Sequence, residues 1–425
     1  MIYFNILSIL ERKTQMKAVG LITEYNPFHN GHHYHIQKAK ELTGADTAVV
    51  IMSGNFVQRG TPAIIDKYTR TAIALDNGAD LVFELPLSYS LASAEGFARG
   101  AVESLHALGF VDCLCFGSES TSLEKMQELA KILANEPPEV SSLLKEKVKN
   151  GMSYPQARMT AVLEYLNSSD SESRLLLSSP NTLLGLEYLK ALYQIDSHIK
   201  PFALQRTGMD YHDSFQKSSG FNSATALRSC LTSPSKKEEI FSLLKSNMPD
   251  NALNLLERKY KVSFPITEDD FSSLLYYKLL NTSTQKLAGY ADMNEELAFR
   301  MKNHLEEYTT LSAFAEKIKS RQYTLTRIYR CLFHIFLEIE ELPDSLPYLR
   351  LLGLKREASI FLNKKNLHSV VPIITKPADA VSQLPPSALP FWELTVRGSL
   401  LYNHIVFQKF NTRLKDDYRA PIIIR

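Results

Sequence analysis

Residues 17–35 read KAVGLITEYNPFHNGHHYH. The apolar run Lys17–Thr23 is followed by a polar, His-rich loop and then by a helical pattern to about Leu42. A short apolar run ahead of a helical pattern marks a buried strand in a βαβ unit. The alternation repeats. Asp46–Met52 (DTAVVIM), Ala79–Leu85 (ADLVFEL) and Val111–Phe116 (VDCLCF) read as strands, with helices over Asp66–Asn77 and Ala94–Ala107. Lys200–Leu204 reads as a fifth strand. Continuous apolar strands separated by helices predict an α/β fold with a parallel sheet covered on both faces. Ligands bind such sheets beyond the carboxyl ends of the strands. The loops after Thr23, Met52, Leu85 and Phe116 are therefore expected to line one crevice.

The rest of the chain frames this unit. With 425 residues, two or three domains are expected. Hydrophobic residues make up 44% and charged residues 22%, enough apolar material for a large core without disulfide or metal staples. A formal charge of +2 gives no overall field of the kind that marks a nucleic-acid binder, although a local basic face is compatible with it. The four Cys show no zinc-site spacing and read as small buried hydrophobes. No run of 18 apolar residues is present, which argues against a membrane helix. Met1–Leu10 is apolar but has neither a basic start nor a cleavage site, so residues 1–15 read as an extension ahead of Met16. A cytoplasmic location is expected. Residues 16–232 are expected to form the α/β domain. Ser233–Lys237 is the linker candidate, and residues 238–425 are expected to be mainly helical.

Chemistry concentrates in the first loop. Of the 11 His in the chain, four (His29, His32, His33 and His35) fall within seven residues. His29-Asn30-Gly31-His32 sits where a strand turns into a helix. There, free helix N–H groups and imidazole donors can converge on a phosphate, and Gly31 allows close backbone approach. His29 and His32 can donate to oxygens that gain charge as an α-phosphate is attacked. This setting favours nucleotidyl transfer over a surface His cluster or a metal site, and no residue is assigned as a metal ligand. A second signal, Ser223-Ala224-Thr225-Ala226-Leu227-Arg228, reads as an N-capped helix start. Its N–H groups, Ser223, Thr225 and Arg228 would hold further phosphates. Gly54–Pro62, with Asp66, Lys67 and Arg70 behind it, is a candidate wall for a second substrate. Asn181 opens a helix, and Arg206 follows the fifth strand at the crevice edge.

Taken together, GLITEYNPFHNGHHYH (20–35), SGNFVQRGTPAIIDKYTR (53–70), FGSES (116–120), SPNTLLGLEYLKAL (179–192), QRTGMDYHD (205–213) and SATALR (223–228) resemble the bacterial tRNA(Met) cytidine acetate ligases. These lie within the HIGH-motif nucleotidyltransferase superfamily. The match weakens beyond residue 230, where RIYRCLFHIFL (327–337) and YLRLLGLKREA (348–358) are similar to the family. His33 and residues 1–15 depart from its pattern. The resemblance implies a Rossmann-like nucleotidyltransferase domain. It also implies a two-step reaction. Acetate would attack the α-phosphate of ATP, and the resulting acetyl-adenylate would acetylate N4 of the wobble cytidine of elongator tRNA(Met). Carried over by position, the ATP contacts would be Ile22, Thr23, Glu24, Tyr25, Asn26, Pro27, Phe28, His29, Asn30, Gly31, His32, His33, Tyr34, His35, Gly117, Asn181 and Arg206. Mg²⁺ is expected with the triphosphate.

The tRNA would then be held by the C-terminal half. Lys317, Lys319, Arg321, Arg327 and Arg330 cluster with Tyr323 and Tyr329, and Arg350, Lys355, Arg356, Lys364 and Lys365 form a second basic group. Basic side chains neutralise phosphates, and aromatics can stack an unpaired base. Two other readings remain open on the residues alone. One is a small-molecule adenylyl- or cytidylyltransferase on the same core. The other is a non-catalytic RNA- or nucleotide-binding protein.

Overall fold

The computed structural model describes residues 17–119, 122–152, 154–166, 176, 179–206, 222–363 and 369–425. The N-terminal extension, Ser120, residues 207–213 of the QRTGMDYHD stretch and the Lys364–Lys365 pair of the second basic group lie outside these residues.

The expected strands form. They are β1 (Ala18–Thr23), β2 (Thr47–Ser53), β5 (Leu81–Leu85), β6 (Cys113–Ser118) and β7 (Lys200–Gln205); the two-residue β3 (Phe56–Val57) and β4 (Thr61–Pro62) between β2 and β5 are not among the expected strands. Between them run α1 (Asn30–Thr43), α2 (Lys67–Asp76), α3 (Ala94–Ala107) and α4 (Pro180–Gln194), and α5 (Ala224–Leu231) follows β7. β2 shows why its sequence is apolar throughout. Val49 and Ile51 enter one core cluster, and Ala48, Val50 and Met52 enter another on the opposite face. A strand buried on both faces has no reason to alternate.

Three further strands, β8 (Leu349–Leu354), β9 (Ile373–Ile374) and β10 (Ile423–Ile424), come from the C-terminal half. Among the described residues the main sheet has the order β10-β8-β5-β2-β1-β6-β7, with β9 beside β8. Its pairings are parallel except β5 with β8. The sheet is thus mixed at one side and wider than the five strands expected.

The segment 233–237 does not separate two cores. The helix after it, Lys237–Leu244, places Ile240, Phe241 and Leu244 in the cluster that holds Val19 and Leu21. Helices further along, including α6 (Leu325–Leu337) and α7 (Leu389–Phe410), build a third cluster around Phe271, Phe333 and Tyr402. The β3–β4 hairpin inserts Phe56 into this cluster, with its ring 5.9 Å from Phe271 and 5.5 Å from Phe333. Of the Cys, three are buried and Cys230 is half-buried.

Strand order reverses between β1 and β6: β2 and β5 lie to one side, β7 to the other. The crevice expected of such a switch point opens beyond the carboxyl ends of these two strands.

Candidate nucleotide site

A cleft of about 470 Å³ lies at that point. Its lining includes Ile22, Thr23, Glu24, Tyr25, Asn26, His29, Gly31, His32, Tyr34 and His35 from the first loop and α1. Gly117, Asn181, Arg206 and Ala224 converge on it from four other parts of the chain. Sequence separation is large, so the convergence comes from the topology alone. Four residues of the expected set do not line it. Phe28 is buried in the core, and Pro27 lies in the buried turn before it. Asn30 donates to the Ser246 carbonyl. His33 bonds to the Asn77 carbonyl through Nδ1, at 3.1 Å.

The geometry of the loop fixes its tautomers. His29 is the N-cap of α1, and its Nδ1 accepts from the Gly31 N–H at 3.0 Å. Nδ1 of His32 accepts from the His29 N–H at 3.3 Å. A neutral imidazole that accepts on one nitrogen carries its proton on the other. Both rings therefore hold their proton on Nε2. They stack at 3.8 Å, and the Tyr25 ring meets His32 edge-on at 4.9 Å.

Burial keeps these imidazoles uncharged. It lowers His29 to about 3, helped by the positive charges of Arg206 and Arg228. His32 is lowered by burial and then by its His29, His35 and Arg206 neighbours. His35 falls to about 4 through burial and Arg206, despite a hydrogen bond to the Cys115 backbone. Its Nε2 is buried with no hydrogen-bond partner. Thr23 Oγ1 and Tyr25 OH are likewise buried and face only one another. Orphaned polar atoms cluster where a ligand would satisfy them.

The positive charge comes from two arginines on separate elements. Arg206 donates its backbone N–H to the Ser118 carbonyl at 2.9 Å, and its side chain crosses Gly117. A Cβ at Gly117 would sit 3.2 Å from Arg206 Cγ. Arg228 donates to the Asn26 carbonyl at 2.8 Å and to Thr225 Oγ1 at 3.0 Å. Ser223 caps α5, accepting from the Ala226 N–H at 3.2 Å. So Arg228 braces the loop from the rim, while Ala224 is the residue of this motif that lines the cleft.

Most of 53–70 is scaffold rather than substrate wall. Arg70 is fully buried and donates to the carbonyls of Glu24, Ser53, Gly54 and Ile65. It thereby ties the loop after β1 to the loop after β2. Asn55 caps inward on the Lys67 N–H, and Lys67 joins a buried ion network. Gln58 and Arg59, at the hairpin tip, are the residues of this stretch that line the cleft. Sequence reading missed Thr326, which reaches the cleft from the first turn of α6, and the apolar wall residues Phe97, Leu184 and Tyr188. Leu184 and Tyr188 fall within the 179–192 stretch, where their apolar character reads as core, and Phe97 and Thr326 lie outside every stretch that carries the resemblance.

The basic candidates divide. Lys317, Lys319 and Arg321 are exposed. Lys317 pairs with Glu307 and Lys319 with Glu316, surface pairs that contribute little. Arg327 lies over the Tyr323 ring at 5.1 Å and donates to the Asp292 carbonyl. Arg330 pairs with the Asp292 carboxylate at 2.8 Å. Both hold the turn at Asp292. Arg350 is buried between Glu84 and Asp417, so it belongs to the core and not to a basic surface, while Lys355 pairs with Asp80 and Arg356 is exposed.

Comparison with known proteins agrees with this architecture. A family described as HIGH Nucleotidyl Transferase matches residues 16–417. The tRNA(Met) cytidine acetate ligase of Clostridium novyi (strain NT) is 39% identical over 92% of this chain and 96% of its own. That of Clostridium acetobutylicum is 39% identical over 96% of this chain and 100% of its own. Crystal structures of Thermotoga maritima TmcAL superpose with a TM-score of 0.89 for the apo form and 0.86 for the form bound with alpha-thio ATP, each at 30% identity and covering 96% of this chain and 99% of theirs. The chain belongs to the HIGH nucleotidyl transferase family and, within it, to the tRNA(Met) cytidine acetate ligases.

Proposed function

We propose that the chain is an ATP-dependent ligase that acetylates N4 of the wobble cytidine of elongator tRNA(Met). The observation that carries the reading is the paired Nε2–H donors of His29 and His32 in one cleft with Arg206, with Arg228 bracing the same loop from the rim. Neutral imidazoles held rigidly by their Nδ1 atoms are hydrogen-bond donors that need no reorganisation as charge develops. In the first step a carboxylate oxygen of acetate forms a bond to the α-phosphorus of ATP, and pyrophosphate leaves. His29 and His32 donate to the phosphate oxygens, and Arg206 offsets their charge. In the second step the exocyclic N4 of cytidine attacks the acetyl carbonyl, AMP leaves, and N4 loses a proton.

Among the described residues no three His, Cys, Asp or Glu are grouped to hold a metal ion. A Mg²⁺ would instead be carried on the triphosphate with its waters, the coordination that this ion prefers. The polynucleotide would lie over the exposed Lys317–Arg321 segment, which leads through Tyr323 to Thr326 at the cleft. Phosphate neutralisation there makes tRNA affinity fall with salt.

His32→Ala tests the first step. Removing one such donor costs about 3 kcal/mol, roughly a hundredfold in rate. Acetate-dependent exchange of pyrophosphate into ATP is expected to fall by that order in the variant. An unchanged exchange rate would overturn the assignment of His32.

A further inference from the structure

One cleft residue owes its orientation to a neighbour that the reaction itself does not call on. Glu119 follows β6 directly and faces the start of α4. Its Oε1 accepts from the side-chain amide of Asn181 and from the Asn181 backbone N–H. Its Oε2 accepts from the Thr182 N–H and from Thr182 Oγ1, both at 2.8 Å. Thr182 Oγ1 also lies 3.0 Å from Ser118 Oγ. The N-cap residue of α4, Ser179, makes no side-chain cap bond. Glu119 supplies that cap from another element, as a carboxylate at a helix N-terminus.

The consequence falls on Asn181, which lines the cleft. An ionised carboxylate accepts only, so the face of the carboxamide turned to Glu119 must be its NH₂. This removes the usual ambiguity between the two ends of an amide. The atom left for the cleft is Oδ1, an acceptor. A carbonyl oxygen repels phosphate oxygens and suits an N–H or O–H donor. We infer that Glu119 is a positioning residue for nucleotide recognition: it sets the polarity of Asn181 so that the cleft presents an acceptor to the nucleoside part of the ligand, not to its phosphates. The inference rests on the proposed nucleotide role of the cleft.

The test measures the dissociation constant of alpha-thio ATP by calorimetry, together with the melting temperature, in wild type, Glu119→Gln, Asn181→Ala and the double variant. A glutamine at 119 carries its own N–H, so Asn181 is free to turn over. Glu119→Gln is expected to weaken binding about tenfold, the upper range for one hydrogen bond between neutral groups. In the Asn181→Ala background the same change is expected to do nothing further to binding. A second arm needs no change at Glu119. Of ATP analogues lacking the N6 amino hydrogens, the 2′-hydroxyl or the 3′-hydroxyl, one is expected to bind wild type about tenfold more weakly. Asn181→Ala should not discriminate against it. If Glu119→Gln lowers only the melting temperature, or weakens binding equally with and without Asn181, Glu119 is a helix cap alone and the inference fails. If wild type does not bind alpha-thio ATP, the nucleotide reading fails and takes the inference with it.

Discussion

At the scale of single residues, the cleft is a set of neutral donors under a positive field. His29 and His35 titrate near 3 and near 4 instead of at the ordinary 6.5, because burial and nearby arginines disfavour the imidazolium. The sign of the pH effect follows. Below about 6.5 the unfolded chain takes up protons that the folded chain refuses until about 3 to 4, so stability falls as pH drops through that window. Denaturant unfolding at pH 7 and pH 5 is expected to show a larger loss for wild type than for a His29→Asn, His35→Asn double variant. Equal losses would contradict the buried, uncharged state. The cluster itself was legible in the sequence, since four His in seven residues at a strand–helix turn leave few readings. Its internal division was not. That His33 turns to the Asn77 carbonyl while His35 keeps an orphan Nε2 depends on helix phase and on neighbours 40 or more residues away.

At the scale of elements, the β3–β4 hairpin decides how the cleft meets the C-terminal helices. Its tip carries Gln58 and Arg59 into the cleft, and Phe56 anchors its base among the helices. Gly60, with φ +79°, lies against the backbone of α6: a Cβ there would come 2.3 Å from the Arg330 nitrogen and 2.7 Å from the Tyr329 carbonyl carbon. Gly44 offers a matched control, with φ +65° and nothing within 4 Å. An alanine at either position bears a left-handed backbone penalty of about 1–2 kcal/mol. Only Gly60→Ala must also push the hairpin off α6. Its melting temperature is expected to fall well below that of Gly44→Ala, and equal values would remove the contact from the account. The helix start at α6 explains why Thr326 escaped sequence reading. Position 326 follows a plain Thr cap in a chain segment 300 residues from the first loop, and nothing local sets it apart.

At the scale of the whole molecule, the two halves of the chain share one sheet. β8 pairs antiparallel with β5, and β10 closes the edge beyond it. A buried network seals the junction. Lys67 contacts Glu84 at 2.7 Å and Asp417 at 3.1 Å, while Arg350 contacts the same two carboxylates at 3.1 and 2.8 Å. The positive charges of Lys67 and Arg350, with hydrogen bonds from Arg350 and Ser399, hold Asp417 well below the usual carboxylate range, although burial acts the other way. Removing one member would strand the others uncompensated. The central sheet was readable because its strands are continuous apolar runs. β8 was not, because Arg350 and Lys355 in YLRLLGLKREA lend the stretch a basic surface character, whereas Arg350 is buried against Glu84 and Asp417 and Lys355 pairs with Asp80. The C-terminal half therefore completes the sheet fold as well as carrying the Lys317–Arg321 segment proposed to hold RNA. A molecule joined this way is suited to bringing a polynucleotide to a nucleotide held at the switch point. The most direct test supplies wild-type protein with ATP, labelled acetate and unmodified elongator tRNA(Met), and then analyses the nucleosides. The account predicts label in N4-acetylcytidine, with one AMP released for each acetyl group transferred. Folded, ATP-binding protein that leaves the tRNA unlabelled would contradict it.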